Sequence, residues 1–152
     1  MSSPSAPGGQ FGHAEDVSPP EAWQRLRDDP NAQIIDVRSR PEWAFVGVPD
    51  TSEAGRDPIL LEWQVYPSMG IDGQFAEKLE AELERRRAAK DAPLLFLCRS
   101  GARSSAAASL MTARGWQSAH NIENGFEGPP DANSHRGTTS GWKADGLPWR
   151  QQ

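Results

Sequence analysis

The stretch "LLFLCRSGARSSAAASLMTARG", residues 94–115, constrains the fold more than any other. It runs from a short apolar segment, through a seven-residue turn rich in polar groups and Gly101, into a helix of small residues. An apolar run of this length reads as a buried strand, and Ala106, Ala107 and Ala108 let the following helix lie close against a sheet. Gly115 is a natural terminator for a helix read over residues 104–114. The only cysteine of the chain, Cys98, stands where strand gives way to turn.

The rest of the chain supplies the elements such a unit needs. Ser18 caps a helix that opens with Pro19, Pro20 and Glu21, buries Trp23 and Leu26, and stops at Pro30. "AQIIDV" lacks alternation, as a strand covered on both faces does. "RPEWAF" reads as a brief helix, residues 47–58 as a breaker-rich loop, and "ILLEW" as a strand. Phe75, Leu79 and Leu83 recur at steps of four on the clearest helix, whose Arg85, Arg86 and Arg87 read as a solvated basic end. "SAHNI" gives the last strand. Strands alternating with helices define an α/β domain with a mostly parallel sheet and helices on both faces. In such sheets the ligand crevice lies beyond the carboxyl ends of the strands, where Cys98 falls.

A chain of 152 residues supports one core. Residues 1–14, "MSSPSAPGGQFGHA", lack both a core-forming pattern and the basic-then-apolar pattern of a signal peptide, so they read as a disordered leader before one domain over 15–150. The net charge of −5 argues against nucleic acid or an anionic membrane as partner. One cysteine forms no internal disulfide, and a cytoplasmic location is the expectation. His13, His120 and His135 belong to no paired ligand motif, so neither a metal nor an organic cofactor is expected.

The turn suits a reactive thiol. The thiolate is the nucleophile, and a cysteine that works at neutral pH needs neighbours that favour the anion. Backbone N–H groups of Arg99, Ser100, Gly101, Ala102 and Arg103 can wrap the sulfur, and the helix N-terminus adds partial positive charge. Arg99 and Arg103 offer forked donors for an anionic substrate, and the hydroxyls of Ser100 and Ser104 can donate to a bound sulfur. A buried spectator thiol would need none of these groups.

"LLFLCRSGARS" resembles the active-site loop of the rhodanese-like sulfurtransferases. "IIDVRSRPEW" is similar to the Asp-x-Arg and Glu-aromatic signature near the start of that family, and "NIENGFEG" with "HRGTTSGWKADGLPW" to the close of its single-domain members. The resemblance spans most of residues 15–150. It implies a rhodanese-like fold with a central, mostly parallel five-stranded sheet, and Cys98 as a catalytic residue that carries a persulfide. The implied donor is thiosulfate or a similar anion, and the acceptor is cyanide, a thiol or a protein. It also implies that Asp36 and Arg38 anchor loops, for instance by pairing Arg38 with Glu42. Related phosphatases place an arginine six residues after the cysteine. Here that position is Ser104 and Arg103 arrives one residue early, so the loop fits one sulfur better than phosphate. Two alternatives remain: a non-catalytic binding or redox-sensing module, and a small cysteine phosphatase or arsenate reductase. The family's Gly-His-Ile-Pro-Gly-Ala stretch is replaced by "VGVPDTSEAGRDPILLEW".

Among other residues, His120 reads as a structural donor rather than a base for Cys98. Trp142 and Trp149 read as a C-terminal plug against the sheet, and Trp63 as core.

Overall fold

The computed structural model describes residues 12–151. Helix α1 (Pro19–Asp28) begins as its sequence dictates: the Ser18 hydroxyl accepts the Glu21 amide, and the Glu21 carboxylate accepts the Ser18 amide at 2.9 Å. Next come β1 (Gln33–Asp36), α2 (Arg40–Val46), β2 (Val48–Pro49), a 3₁₀ turn (Ser52–Ala54), β3 (Ile59–Leu60), β4 (Gln64–Val65) and β5 (Gly70–Ile71). The second half holds α3 (Phe75–Arg85), β6 (Leu94–Leu97), α4 (Ala102–Ala113), β7 (Ala119–Asn121) and β8 (Trp149–Arg150).

The central sheet has the order β3-β1-β6-β7, and every pairing in it is parallel. Among the described residues four strands form it rather than the five expected. The would-be fifth shrinks to one parallel bridge between Val17 and Ile122, because Ser18 and Pro19 commit the chain to α1 immediately afterwards. Both faces are covered. Phe75, Leu79 and Leu83 of α3 pack with Ala107, Ala108 and Met111 of α4 against one face. Trp23 and Leu26 of α1 pack with Ile122, Phe126 and Trp142 against the other. Strand β6 is buried throughout, which explains its unbroken apolar sequence.

Helix α4 starts two residues before its expected beginning, because Gly101, with φ +122°, occupies the position before the helix and turns the chain there. Contacts with the domain extend to residues before 15. His13 is buried with Nε2 2.9 Å from Ser105 Oγ, and the Ala14 amide donates to Ala119 O at 3.0 Å. Residues 1–11 of the expected leader lie outside the described residues. The segment after α2 is not plain loop: β2 pairs antiparallel with β8, and β4 and β5 form a two-stranded ribbon.

Trp142 is fully buried, edge-on to Trp23 at 5.9 Å, with its indole N–H donating to Pro148 O. The C-terminal segment therefore closes one face of the sheet, although Trp149 stays 40 % exposed beside Lys143. Trp63 packs edge-on to Phe75 at 5.0 Å. The basic end of α3 is only partly solvated: Arg85 is exposed, whereas Arg86 reaches Gln33 Oε1 and Asp57 O. No helix among the described residues is long and apolar enough to cross a membrane.

Candidate active site

Cys98 follows the last residue of β6 and is 1 % exposed. The chain rises from the sheet, turns at Gly101 and enters α4, wrapping part of the backbone around the sulfur. The Gly101 amide donates to Sγ at 3.1 Å, and Ser104 Oγ lies 3.2 Å from it. The first intrahelical bond of α4 runs from Ser105 N to Gly101 O, so the amides of Ala102, Arg103 and Ser104 precede the ladder and add to the positive end of the helix. Ser104 is fully buried, and its Oγ also approaches Gly101 O (3.1 Å) and Asn121 Oδ1 (2.5 Å).

A second turn clamps the loop from above. Phe126 N–H donates to Cys98 O at 2.8 Å, while Glu127 and Gly128 N–H both donate to Arg99 O, at 3.0 and 3.1 Å. Gly125, φ +59°, makes this approach possible: a Cβ there would stand 2.6 Å from Arg99 C and O.

The two arginines of the loop differ in circumstance. Arg99 is exposed and makes no side-chain hydrogen bond or ion pair among the described residues. Arg103 is bidentate with Glu42 of α2, at 2.7 and 3.0 Å. Burial opposes the charge on each partner, but the paired hydrogen bonds outweigh it. The Glu42 carboxyl is lowered to about 2, helped by the Ser39 amide, and the Arg103 guanidinium is raised above its usual range. Arg103 is thus a strut between α2 and α4 whose charge is locally balanced.

Glu42 does not pair with Arg38 as expected. Arg38 and Asp36 are both fully buried and bind each other, Nε to Oδ1 at 2.9 Å and Nη2 to Oδ2 at 2.7 Å. Both enclosed at the end of β1, they satisfy each other's charge, and Glu42 is left to pair with Arg103 of the Cys98 loop. Arg38 Nη2 also donates to Gly47 O, and its guanidinium lies 4.2 Å from the Phe126 ring. The pair therefore braces the turn that clamps Cys98.

A cleft of about 440 Å³ opens over the loop, lined by Arg99, Arg103, Arg136, Glu42, Glu127 and Met69 among others. Larger clefts lie beside α4 (about 620 Å³) and Trp116 (about 490 Å³), but neither is lined by the cysteine loop's arginines. Ser100 is exposed and does not line this cleft. His120 is remote in role: Nδ1 donates to Glu15 O at 2.8 Å, and Nε2 accepts from Arg25 at 3.0 Å. Burial lowers its pKa, which keeps the ring neutral. Among the described residues no cluster of His, Cys, Asp or Glu is arranged to hold a metal.

Sequence reasoning placed Cys98 and its loop but passed over Asn121, Glu42 as the partner of Arg103, and the Gly125 turn. The signal for Asn121 was its place at the carboxyl end of the strand beside β6, on the same edge of the sheet as Cys98.

A parallel, two-faced α/β sheet with this arrangement at its carboxyl edge has the rhodanese-like fold. The model of the family described as the STR4 middle domain matches residues 15–152, and the chain belongs to that family. It is similar to Rv0390 from M. tuberculosis, with 43 % identity and a TM-score of 0.80, over 93 % of this chain and 100 % of that one. An uncharacterized protein of Rickettsia conorii is 32 % identical over 136 residues, 90 % of this chain and 97 % of its own length. The chloroplastic rhodanese-like domain-containing protein 4 of Arabidopsis thaliana is 28 % identical over 84 % of this chain, which spans 24 % of that protein. In fold, the chain also resembles the polysulfide-sulfur transferase homodimer of Wolinella succinogenes, at 21 % identity and a TM-score of 0.58, over 95 % of this chain and 82 % of that one.

Proposed function

We propose that this rhodanese-like domain is a sulfurtransferase that carries a sulfane sulfur on Cys98. One observation carries the reading: Cys98 Sγ, buried at the head of α4, has the Gly101 amide at 3.1 Å and the Ser104 hydroxyl at 3.2 Å. Both groups suit a sulfur that is negative before attack and negative again as a persulfide: the Gly101 amide is in place before the reaction begins, and the Ser104 hydroxyl lies within reach of the sulfur. In the first half-reaction the thiolate attacks the outer sulfur of thiosulfate or a similar donor. The donor's S–S bond breaks, and sulfite leaves with the bonding pair. In the second, cyanide, a thiol or a protein thiolate attacks the outer sulfur of the persulfide, and Cys98 departs as thiolate. No oxidant or reductant is consumed.

Arg99, exposed on the cleft and unpaired among the described residues, attracts the anionic donor. Arg103 contributes chiefly by holding α4 against α2 through Glu42. Among the described residues only the Gly101 amide of the expected 99–103 cradle reaches the sulfur, and the amides at the start of α4 act on it through the positive end of the helix. The test is the intact mass of the protein after treatment with thiosulfate. One added sulfur, removed by cyanide and never acquired by Cys98→Ser, is the expected result. No gain at any donor concentration, or Cys98-dependent hydrolysis of p-nitrophenyl phosphate, overturns the reading.

A further inference from the structure

Ser104 has one hydroxyl hydrogen and three acceptors around it: Cys98 Sγ at 3.2 Å, Gly101 O at 3.1 Å and Asn121 Oδ1 at 2.5 Å. It can satisfy one of them fully at a time. The shortest approach is to Asn121, so in the resting site the hydrogen faces the carboxamide oxygen and not the sulfur. A site built to stabilise a sulfur anion needs that hydrogen on Sγ. The carboxamide holds the remedy, because a half-turn about its last side-chain bond exchanges oxygen for nitrogen at the same place.

We propose that Asn121 is a positioning residue that sets the direction of the Ser104 hydroxyl and so the reactivity of Cys98; this rests on Cys98 being the working nucleophile of the proposed function. With sulfur neutral, Ser104 donates to Asn121 Oδ1. With sulfur anionic, as thiolate or persulfide, the carboxamide turns. Nδ2 then donates to Ser104 Oγ, and Ser104 donates to Sγ. No proton is exchanged in this switch; only the direction of two hydrogen bonds reverses. The Ser104 hydroxyl is not free to choose water instead, since Ser104 is fully buried. The Asn121 backbone is fixed independently, through its pairing with Phe96 of β6 and the bond its carbonyl accepts from Val17 N. The side chain can therefore act without the strand moving.

The relay predicts energetic coupling between two side chains, which a merely structural role does not. Two rates are measured at pH 7: alkylation of Cys98 by iodoacetamide, and single-turnover sulfur loading from thiosulfate. Ser104→Ala, which removes the hydrogen bond to the charged sulfur, slows both by about tenfold, and Asn121→Ala slows both by a smaller factor, because it frees the Ser104 hydroxyl to turn to Gly101 O. The thiosulfate concentration for half-maximal loading stays within about twofold, because the relay acts on the sulfur and not on the donor. In a Ser104→Ala background the same Asn121 change has no further effect. Asn121→Asp, which keeps the shape but cannot donate, slows the reaction at least as much as Asn121→Ala, and urea midpoints confirm that each variant is folded. A rate unchanged in Asn121→Ala, or an equal loss with and without Ser104, overturns the inference. If the parent protein takes no sulfur while the alkylation rates still show the coupling, the sulfurtransferase reading fails and the relay stands.

Discussion

Gly125→Ala is the most direct probe of how the fold holds its cysteine. The new methyl carbon would meet Cys98 O inside contact distance and stand 2.6 Å from both C and O of Arg99, all backbone atoms that cannot swing aside. The turn must therefore lift away from the loop. In doing so it weakens the bonds from Phe126 N to Cys98 O and from Glu127 and Gly128 N to Arg99 O. Placing a Cβ at φ +59° costs about 1 kcal/mol on its own. Losing two or three neutral backbone bonds adds roughly 1 kcal/mol each, for a total of about 3–4 kcal/mol. A control isolates the clash: Gly146 also has positive φ, +77°, but a Cβ there meets nothing within 4 Å, so Gly146→Ala carries only the conformational cost. Urea unfolding at pH 7, read from the midpoint with the slope unchanged, measures the difference. A domain of this size tolerates the loss and stays folded, so sulfur loading of Cys98 can be followed in the same sample and is expected to fall with the loosened cradle. If Gly125→Ala costs no more than Gly146→Ala, the second turn does not clamp the loop, and the account of why Cys98 is held in place is wrong.

Two further predictions concern pH. Because the Glu42 carboxyl is lowered from 4.5 to about 2 by Arg103, its contribution is fully present above pH 4.5 and is lost as pH falls toward 2. Glu42→Gln should cost about 1–2 kcal/mol at pH 7, after allowance for the solvent that reaches the pair, and flatten the acid limb of a urea-midpoint profile between those limits. His120 has its pKa lowered from 6.5 by burial, so below that pH the unfolded chain takes up a proton that the native ring resists, and stability falls. Relative to the parent, His120→Gln should lose less stability on going from pH 7.5 to 5; an identical loss refutes a neutral His120.

The sequence was most legible where a local pattern had one physical solution. Steps of four in Phe75, Leu79 and Leu83 can bury one stripe only as a helix, and α3 follows. An apolar run ending in Cys-Arg-Ser-Gly before a small-residue segment can be satisfied by a strand, a tight turn and a helix, and β6 and α4 follow. Legibility ended where partners are distant in the chain. Glu42 and Arg103 lie 61 residues apart and meet only because α2 and α4 converge over the loop. Arg38 had two carboxylates within reach in sequence, and nothing local decides between them. Burial does: with Arg38 and Asp36 both wholly enclosed, each needs the other's charge, whereas Glu42 keeps some contact with solvent.

The segment after α2 makes the same point from the opposite side. Residues 47–58 show no apolar period, and beyond the buried Val48 little in them specifies a path through hydrophobic burial. Their path is set instead by polar cross-links to the chain that precedes them. The Arg56 guanidinium is fastened to the carbonyls of Leu26, Ala32, Asp29 and Ala54, and Thr51 donates to Arg56 O. Arg86 secures Asp57 from the other side, and β8 pairs with β2. A guanidinium that binds main-chain carbonyls asks nothing of the identity of the residues bearing them, so their sequence can change while the loop keeps its course. That freedom reconciles two features of this chain: the segment departs from the Gly-His-Ile-Pro-Gly-Ala stretch of the sulfurtransferases that the sequence resembles, yet α2 and the β4–β5 ribbon flanking it still bring Glu42 and Met69 to the cleft lined by Arg99 and Arg103 of the cysteine loop.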